Sequence, residues 1–231
     1  MGENMNAGTD NGASSEHLWD HYNGLLVSPD VDRIRKLLVR NDLFQMALNS
    51  PGDIIECGVF KGAGAFYWLK LLAIYAPTAQ KRVVGFDTFG AFADSLLDYE
   101  QKSAALYVSE ANFTGTAPED LMNIARQAGL AHRLELVSGD ILQTAPRYVA
   151  ANPGFRISLL HLDCDTYNGS KAALEAFYPV ISPGGLVVLD EYGKRGWGES
   201  DAVDEFISGK GIKLEAINTI FQPTAFFRKP L

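Results

Sequence analysis

Long apolar runs are missing from this chain, and so is any concentration of positive charge. No stretch approaches the roughly 18 apolar residues that a membrane-spanning helix needs. The first residues lack the charged-then-apolar pattern of a secretory signal, which gives the expectation of a soluble, cytoplasmic protein without a membrane partner. Lys and Arg number 20 against 28 Asp and Glu, for a formal net charge of −8 and a pI of about 5.0. The cations form no run or stripe, and phosphate binding needs clustered positive charge, so a nucleic-acid partner is disfavoured. Cysteine is scarce: Cys57 and Cys164 each close an apolar run and read as free core thiols in a reducing compartment, with a disulfide or metal role as the alternative. Periodicity is absent from the first 17 residues, which are polar and rich in Gly, Asn and Ser, and residues 1–17 read as a disordered tail.

What remains is one α/β domain's worth of chain, 231 residues. Leu18, Trp19, Tyr22, Leu25 and Leu26 begin a helical segment. Ile34, Leu37, Leu38, Phe44 and Leu48 continue it at helical spacing over about 31–48, with Arg33, Lys36 and Arg40 between them. Ser50-Pro51-Gly52 ends it. Strands and helices then alternate. Strands are expected at Asp53–Cys57, Arg82–Asp87, Leu134–Ser138, Arg156–Leu162 and Leu186–Leu189, and two late ones near Leu214–Asn218 and Ala225–Arg228. Helices are expected at about 63–75, from a Thr116-Ala117-Pro118-Glu119 capping box to Gly129, at Pro146–Ala151, at Ser170–Tyr178 and at Asp201–Ile207. Residues 88–115 read as a long insert, and Ser182-Pro183-Gly184-Gly185 as a turn. Such alternation implies right-handed crossovers and a doubly wound, seven-stranded, mostly parallel sheet whose last strand is antiparallel. Residues 18–50 read as a helical lid over the ligand site, and 51–231 as the ligand-binding domain.

Ligands of an open α/β sheet bind beyond the carboxyl ends of its strands. An acid stands at or beside that end of all five parallel strands: Glu56, Asp87, Asp140, Asp163 with Asp165, and Asp190 with Glu191. The first loop spaces Glu56, Gly58, Gly62 and Gly64 in a pattern that is not the dinucleotide GxGxxG. Glycine there permits close backbone approach to a ligand; a tight turn with no ligand is the alternative. Asp87 is placed to accept hydrogen bonds from ribose hydroxyls, and Asp140 from an adenine amino group with Ile141 packed on the ring; loop capping is the alternative for each. His161 lies within the fourth strand and reads as a packed residue or a base. Trp19, Tyr22, Phe92 and Trp197 read as substrate-pocket walls or as plain packing.

Several blocks, in order, carry a family resemblance over about 51–206. Ile55-Glu56-Cys57-Gly58-Val59-Phe60-Lys61-Gly62 resembles motif one of class I S-adenosylmethionine-dependent methyltransferases. Gly85-Phe86-Asp87-Thr88-Phe89, Leu162-Asp163-Cys164-Asp165-Thr166-Tyr167, Ser182-Pro183-Gly184-Gly185, Leu189-Asp190-Glu191-Tyr192-Gly193 and Ala202-Val203-Asp204-Glu205-Phe206 are similar to the macrocin O-methyltransferase family, whose members methylate sugar hydroxyls of natural products. The resemblance implies a Rossmann-like fold and an S-adenosylmethionine site formed by Glu56, Gly58, Val59, Gly62, Gly64, Asp87, Thr88, Phe89, Gly139, Asp140, Ile141 and Asp163. Asp163 or Asp165 is placed to receive the acceptor's proton as the catalytic group, with orientation of the loop through Tyr167 or Asn168 as the alternative for Asp165.

The neighbouring ends of the fourth and fifth strands would bring Asp163, Asp190 and Glu191 to one rim, where a hard cation such as Mg²⁺ would relieve their repulsion. The alternative is a metal-free site in which one carboxyl stays protonated or acts as base. Two departures stand out: Glu191 where the family commonly has Asp, and Thr166 where catechol-type enzymes carry a lysine base. O-methylation of a small hydroxylated molecule, a natural-product sugar or a nucleotide sugar, is thus expected, with a homo-oligomer open. Metal-independent N-methylation, a non-catalytic cofactor-binding protein and a nicotinamide dehydrogenase are the rivals.

Overall fold

The computed structural model describes residues 15–111, 115–218, 220 and 222–231. The expected tail therefore lies outside the described residues up to residue 14, but residues 15–17 are already helical. Helices α1 (Ser15–Val27) and α2 (Asp32–Ala47) precede β1 (Asp53–Cys57), α3 (Ala63–Tyr75) and β2 (Val83–Asp87). Then come α4 (Asp98–Glu110), α5 (Pro118–Gln127), β3 (Leu134–Ser138), α6 (Ile141–Ala151), β4 (Ile157–Leu162) and α7 (Tyr167–Phe177). The chain closes with β5 (Ile181–Leu189), α8 (Glu199–Ile207), β6 (Glu215–Ala216) and β7 (Ala225–Arg228).

The strands form one seven-stranded sheet in the order β3-β2-β1-β4-β5-β7-β6. β1 to β5 pair in parallel, and β7 runs antiparallel to both β5 and β6. Order reverses between β1 and β4, so the crevice at their carboxyl ends is the expected ligand site. Each central strand alternates its side chains between two cores. Ile54, Val83, Leu159 and Leu186 meet Leu43, Phe44, Trp68, Leu72 and Leu121 from α2, α3 and α5. Ile55, Val84, Leu160 and Val187 meet Tyr148, Leu174, Phe177 and Val203 from α6, α7 and α8. Each large side chain so buried contributes about 1.5–3 kcal/mol.

Five local expectations are corrected. The insert at 88–115 contains α4, which starts with Asp98 and Glu100 in its first turn, where a helix dipole favours acids. The Glu100 carboxylate accepts the N–H of Leu97 at 2.8 Å and that of Tyr167 at 2.7 Å, tying α4 to the start of α7. Thr116 caps nothing, because α5 is entered through Ala117 with Pro118 in its first turn. α6 begins at Ile141, because the Asp140 carboxylate caps it by accepting the N–H of Leu142 at 3.0 Å. Ser182 to Gly185 form no separate turn; the pairing of Ile157 with Ile181 and then of Leu159 with Leu186 makes them a bulge within β5. Finally, α2 is not only a cover: its buried Leu43, Phe44 and Ala47 belong to the core.

Candidate active site

The crevice is laced by backbone. Gly58 donates its N–H to the Phe86 carbonyl at 2.8 Å, and Asp163 donates to the Cys57 carbonyl at 2.8 Å. Gly58 has φ +98°, and a Cβ there would lie 1.8 Å from the Asp163 carbonyl oxygen, so only glycine lets β1 and β4 come this close. Above this junction opens a cleft lined by Gly58, Asp87, Thr88, Gly139, Asp140, Ile141, Asp163 and Asp165, with Phe60, Phe92 and Tyr107 on the facing wall. Its described lining holds four aspartates and no Lys or Arg. Such a surface suits a ligand rich in hydrogen-bond donors and positive charge, and it offers no cation to a pyrophosphate lying along the Asp87–Asp140 side, which counts against a dinucleotide there.

Of the residues expected at a cofactor, Glu56, Val59, Gly62, Gly64 and Phe89 stand behind this lining. Asp87 Oδ2 accepts the N–H groups of Val59 at 2.7 Å and Phe60 at 2.8 Å, while Oδ1 accepts that of Phe89 at 2.7 Å. This carboxylate holds the first loop in place and has little capacity left for two ribose hydroxyls. Gly62 adopts φ +88° at the entry to α3. Gly64 makes room for Glu56: a Cβ there would lie 2.0 Å from Glu56 Oε1.

Below the cleft lies a buried charged cluster. His161 is fully buried and bridges Glu56 Oε1 from Nδ1 and Asp190 Oδ1 from Nε2, each at 3.2 Å. Burial opposes its charge, but the hydrogen bonds to Asp190 and Glu56 outweigh burial and raise its pKa above the ordinary value. An imidazolium donates to both carboxylates at once, as this geometry asks. α2 adds two cations: Lys36 Nζ donates to Asp190 Oδ2 at 3.1 Å, and Arg40 Nη2 donates to Asp163 Oδ2 at 3.3 Å and stands 3.9 Å from Asp190 Oδ1. Trp68 floors the cluster, edge-on to His161 and beneath the Arg40 guanidinium at 5.7 Å. The two aspartates diverge in pKa. Burial and the Asp190 charge push Asp163 up to about 7. For Asp190, burial is overcome by His161, Lys36 and Arg40, which hold it well below the usual range. Environments that drive a pair of carboxyls apart in this way assign different protonation roles to them.

Asp165, another residue of the cleft lining, sits at φ +61°, a strained conformation for a non-glycine residue. Burial, then the charges of Glu191, Asp163 and Asp190, raise its pKa well above normal. Glu191 is buried, with its carboxylate on Lys194 at 2.9 Å and on the Gln222 amide. Its own N–H donates to the fully buried Glu199 at 2.9 Å. Among the described residues, the trio of potential ligand atoms within 4.8 Å of one another is Glu56, His161 and Asp163.

Phe92 lies 5.8 Å from Trp197 and 6.0 Å from Tyr107, and Phe60 5.7 Å from Tyr107, ring centre to ring centre, so these aromatics form one wall. Trp19 and Tyr22 do not join it; they pair with each other on α1, 63% and 54% exposed. Sequence reasoning missed Lys36, Arg40 and Tyr107 as site residues. The four-residue spacing of Lys36 and Arg40 on one helix face was the available signal for the first two.

Comparison with known proteins agrees in one direction. The family profile described as Macrocin-O-methyltransferase (TylF) matches residues 33–229. The chain is 29% identical over 175 residues to the 8-demethyl-8-(2,3-dimethoxy-alpha-L-rhamnosyl)-tetracenomycin-C 4'-O-methyltransferase of Streptomyces olivaceus, covering 70% of this chain and 65% of that protein. It is 27% identical over 171 residues to the mycinamicin III 3''-O-methyltransferase of Micromonospora griseorubida, covering 72% and 65%. The match thus spans a little under two thirds of the length of these relatives. The crystal structure of a calicheamicin methyltransferase superimposes with a TM-score of 0.71 at 26% identity, over 99% of this chain and 98% of that one.

Proposed function

This chain belongs to the macrocin O-methyltransferase family, and from that premise we propose that it transfers a methyl group from S-adenosylmethionine to a hydroxyl of a small molecule, a sugar of a natural product or a nucleotide sugar. The observation that carries the reading is the acid-lined cleft at the β1–β4 crevice, joined through Asp163 to the charged cluster beneath. Its fit is chemical: sulfonium, ammonium, ribose hydroxyls and adenine amine are donors or cations, and the lining offers carboxylates and the apolar Phe86, Ile141 and Leu142. When bound, S-adenosylmethionine supplies an electrophilic methyl group.

The chain's own residues do the rest. Gly58 and Gly139 keep the walls low, Asp87 fixes the first loop, and Asp140 with Ile141 receives the adenine end. Asp163 gives Oδ2 to Arg40, which leaves Oδ1 for the acceptor hydroxyl. A carboxyl with a pKa of about 7 is poised to take that proton near neutral pH, and a base so placed contributes about 10²–10⁴ in rate. Asp165, whose pKa is raised by burial and by the charges of Glu191, Asp163 and Asp190, lines the same cleft beside it. The aromatic wall of Phe60, Phe92 and Tyr107 excludes water and orients the acceptor.

Mg²⁺ has no step in this reading. Octahedral coordination asks for oxygens at about 2.0–2.1 Å. Asp190 is held by Lys36 and His161, Asp163 by Arg40, and Glu191 by Lys194 and Gln222. The expected trio does not fit the ion without breaking these contacts.

The test is a methyl-transfer screen with labelled S-adenosylmethionine against nucleotide sugars, glycosides, phenols and amines, beside calorimetry with S-adenosylhomocysteine and NAD⁺. Micromolar S-adenosylhomocysteine binding and label in a hydroxylated acceptor are expected. Binding of NAD⁺ alone would overturn the reading.

A further inference from the structure

Lys36 and Arg40 lie four residues apart on α2, so both side chains leave one face of the helix. That face is locked onto the sheet. Leu43, Phe44 and Ala47 anchor the following turns in the core, and the Tyr67 hydroxyl donates to the Leu37 carbonyl at 2.6 Å. The Arg40 side chain is 7% exposed and stacked on Trp68, and that of Lys36 is 19% exposed. Between them they reach Asp163 once and Asp190 twice. A guanidinium this buried would be left uncompensated if its carboxylates turned to another cation, a strongly unfavourable exchange.

We propose that Lys36 and Arg40 are the resident counter-cations of the acceptor site, occupying the carboxylates that a divalent ion would otherwise take, so that this chain transfers methyl groups without a divalent metal. The inference rests on the methyltransferase reading of the site. The two residues are positioning residues: they act through Asp163 and Asp190, fixing where those carboxylates point. Glu191 agrees with the assignment, because Lys194 and Gln222 draw its carboxylate away from the role of a third ligand.

The experiment uses the full chain saturated with S-adenosylhomocysteine, whose binding is checked first by calorimetry. Failure to bind it would overturn the methyltransferase reading and is distinct from failure of the present inference. Mn²⁺ is then titrated and followed by electron paramagnetic resonance, a readout independent of turnover. Wild type is expected to hold no Mn²⁺ tighter than millimolar. Lys36→Ala is expected to bind it about tenfold tighter or more, because a competing unit charge beside Asp190 is gone. Micromolar Mn²⁺ binding by wild type that Asp190→Asn abolishes would overturn the inference, as would an affinity that Lys36→Ala leaves unchanged. Should Lys36→Ala fail to fold, the wild-type titration decides alone, joined by the transfer rate after exhaustive chelation. That rate is expected to be unchanged, and its loss with recovery on adding Mg²⁺ would overturn the inference.

Discussion

Gly58→Ala is expected to cost far more than its single methyl group suggests, and the structure supplies its own control. Gly58 and Gly129 both have positive φ, +98° and +71°, but a Cβ at Gly129 meets nothing within 4 Å, whereas at Gly58 it would lie 1.8 Å from the Asp163 oxygen and 2.6 Å from its carbonyl carbon. Left-handed backbone costs an alanine about 1–2 kcal/mol. A stiffer unfolded chain returns about 0.4–1 kcal/mol. The expected net loss for Gly129→Ala is therefore about 1 kcal/mol. For Gly58→Ala, overpacking adds about 1–3 kcal/mol, and the atoms struck are backbone that cannot rotate aside, so about 2–4 kcal/mol is expected. Urea unfolding of both variants with unchanged slopes measures the difference through their midpoints. Calorimetry with S-adenosylhomocysteine should show affinity falling for Gly58→Ala alone, since that clash displaces the floor of the cleft. Equal midpoints for the two variants would refute the argument that the β1–β4 approach is what requires glycine.

Asp87→Ala strips the acceptor from the N–H groups of Val59, Phe60 and Phe89, so about 1–3 kcal/mol of stability should go with much of the cofactor affinity; unfolding and calorimetry check both, and unchanged stability would count against the loop-holding role. Burial first, then the Asp190 charge, holds the pKa of Glu199 well above normal. Its folded pKa then exceeds the unfolded value of about 4.3, so its contribution to stability is present below that pH and is lost as pH rises towards the folded pKa. Glu199→Gln should accordingly gain on wild type as pH rises from about 4, and a pH-independent gap between their urea midpoints would contradict this. With Asp163 raised to about 7, the transfer rate should climb with pH up to that value and then level; Asp163→Asn should lower the rate by about 10²–10⁴ and remove the rising limb.

The sheet was legible because each buried strand is a short apolar run closed by an acid or a glycine, and because the helices between them keep their apolar periodicity. β1, β3 and β7 fall where that pattern puts them. α4 was hidden, since Asp98–Glu110 mixes aromatic, charged and small residues without a strong apolar stripe; it is fixed by Glu100 reaching Leu97 and Tyr167, a tertiary device that local pattern does not carry. The sheet-end acids were visible as residue types, but not which of them face the cleft. Asp87 looked like a free carboxylate and is spent on backbone amides; Glu56 looked like a cofactor ligand and lies beneath Gly64 against His161. Lys36 and Arg40 read as the polar side of an amphipathic helix. Their role depends on how α2 is rotated against β4 and β5, and Leu43, Phe44 and Ala47 fix that rotation only once the sheet exists.

A methyl group that passes from S-adenosylmethionine to an oxygen carries its carbon with it, and that carbon can be followed. Incubating the full chain with S-adenosylmethionine carrying a carbon-13 methyl, together with the acceptor found in the screen, and reading the product by carbon-13 NMR tests that transfer most directly. A new labelled resonance is expected in the range of methyl ethers, coupled across oxygen to a sugar ring proton. A labelled resonance in the range of N-methyl groups, or label that stays on the cofactor with every hydroxylated acceptor, would contradict transfer to oxygen.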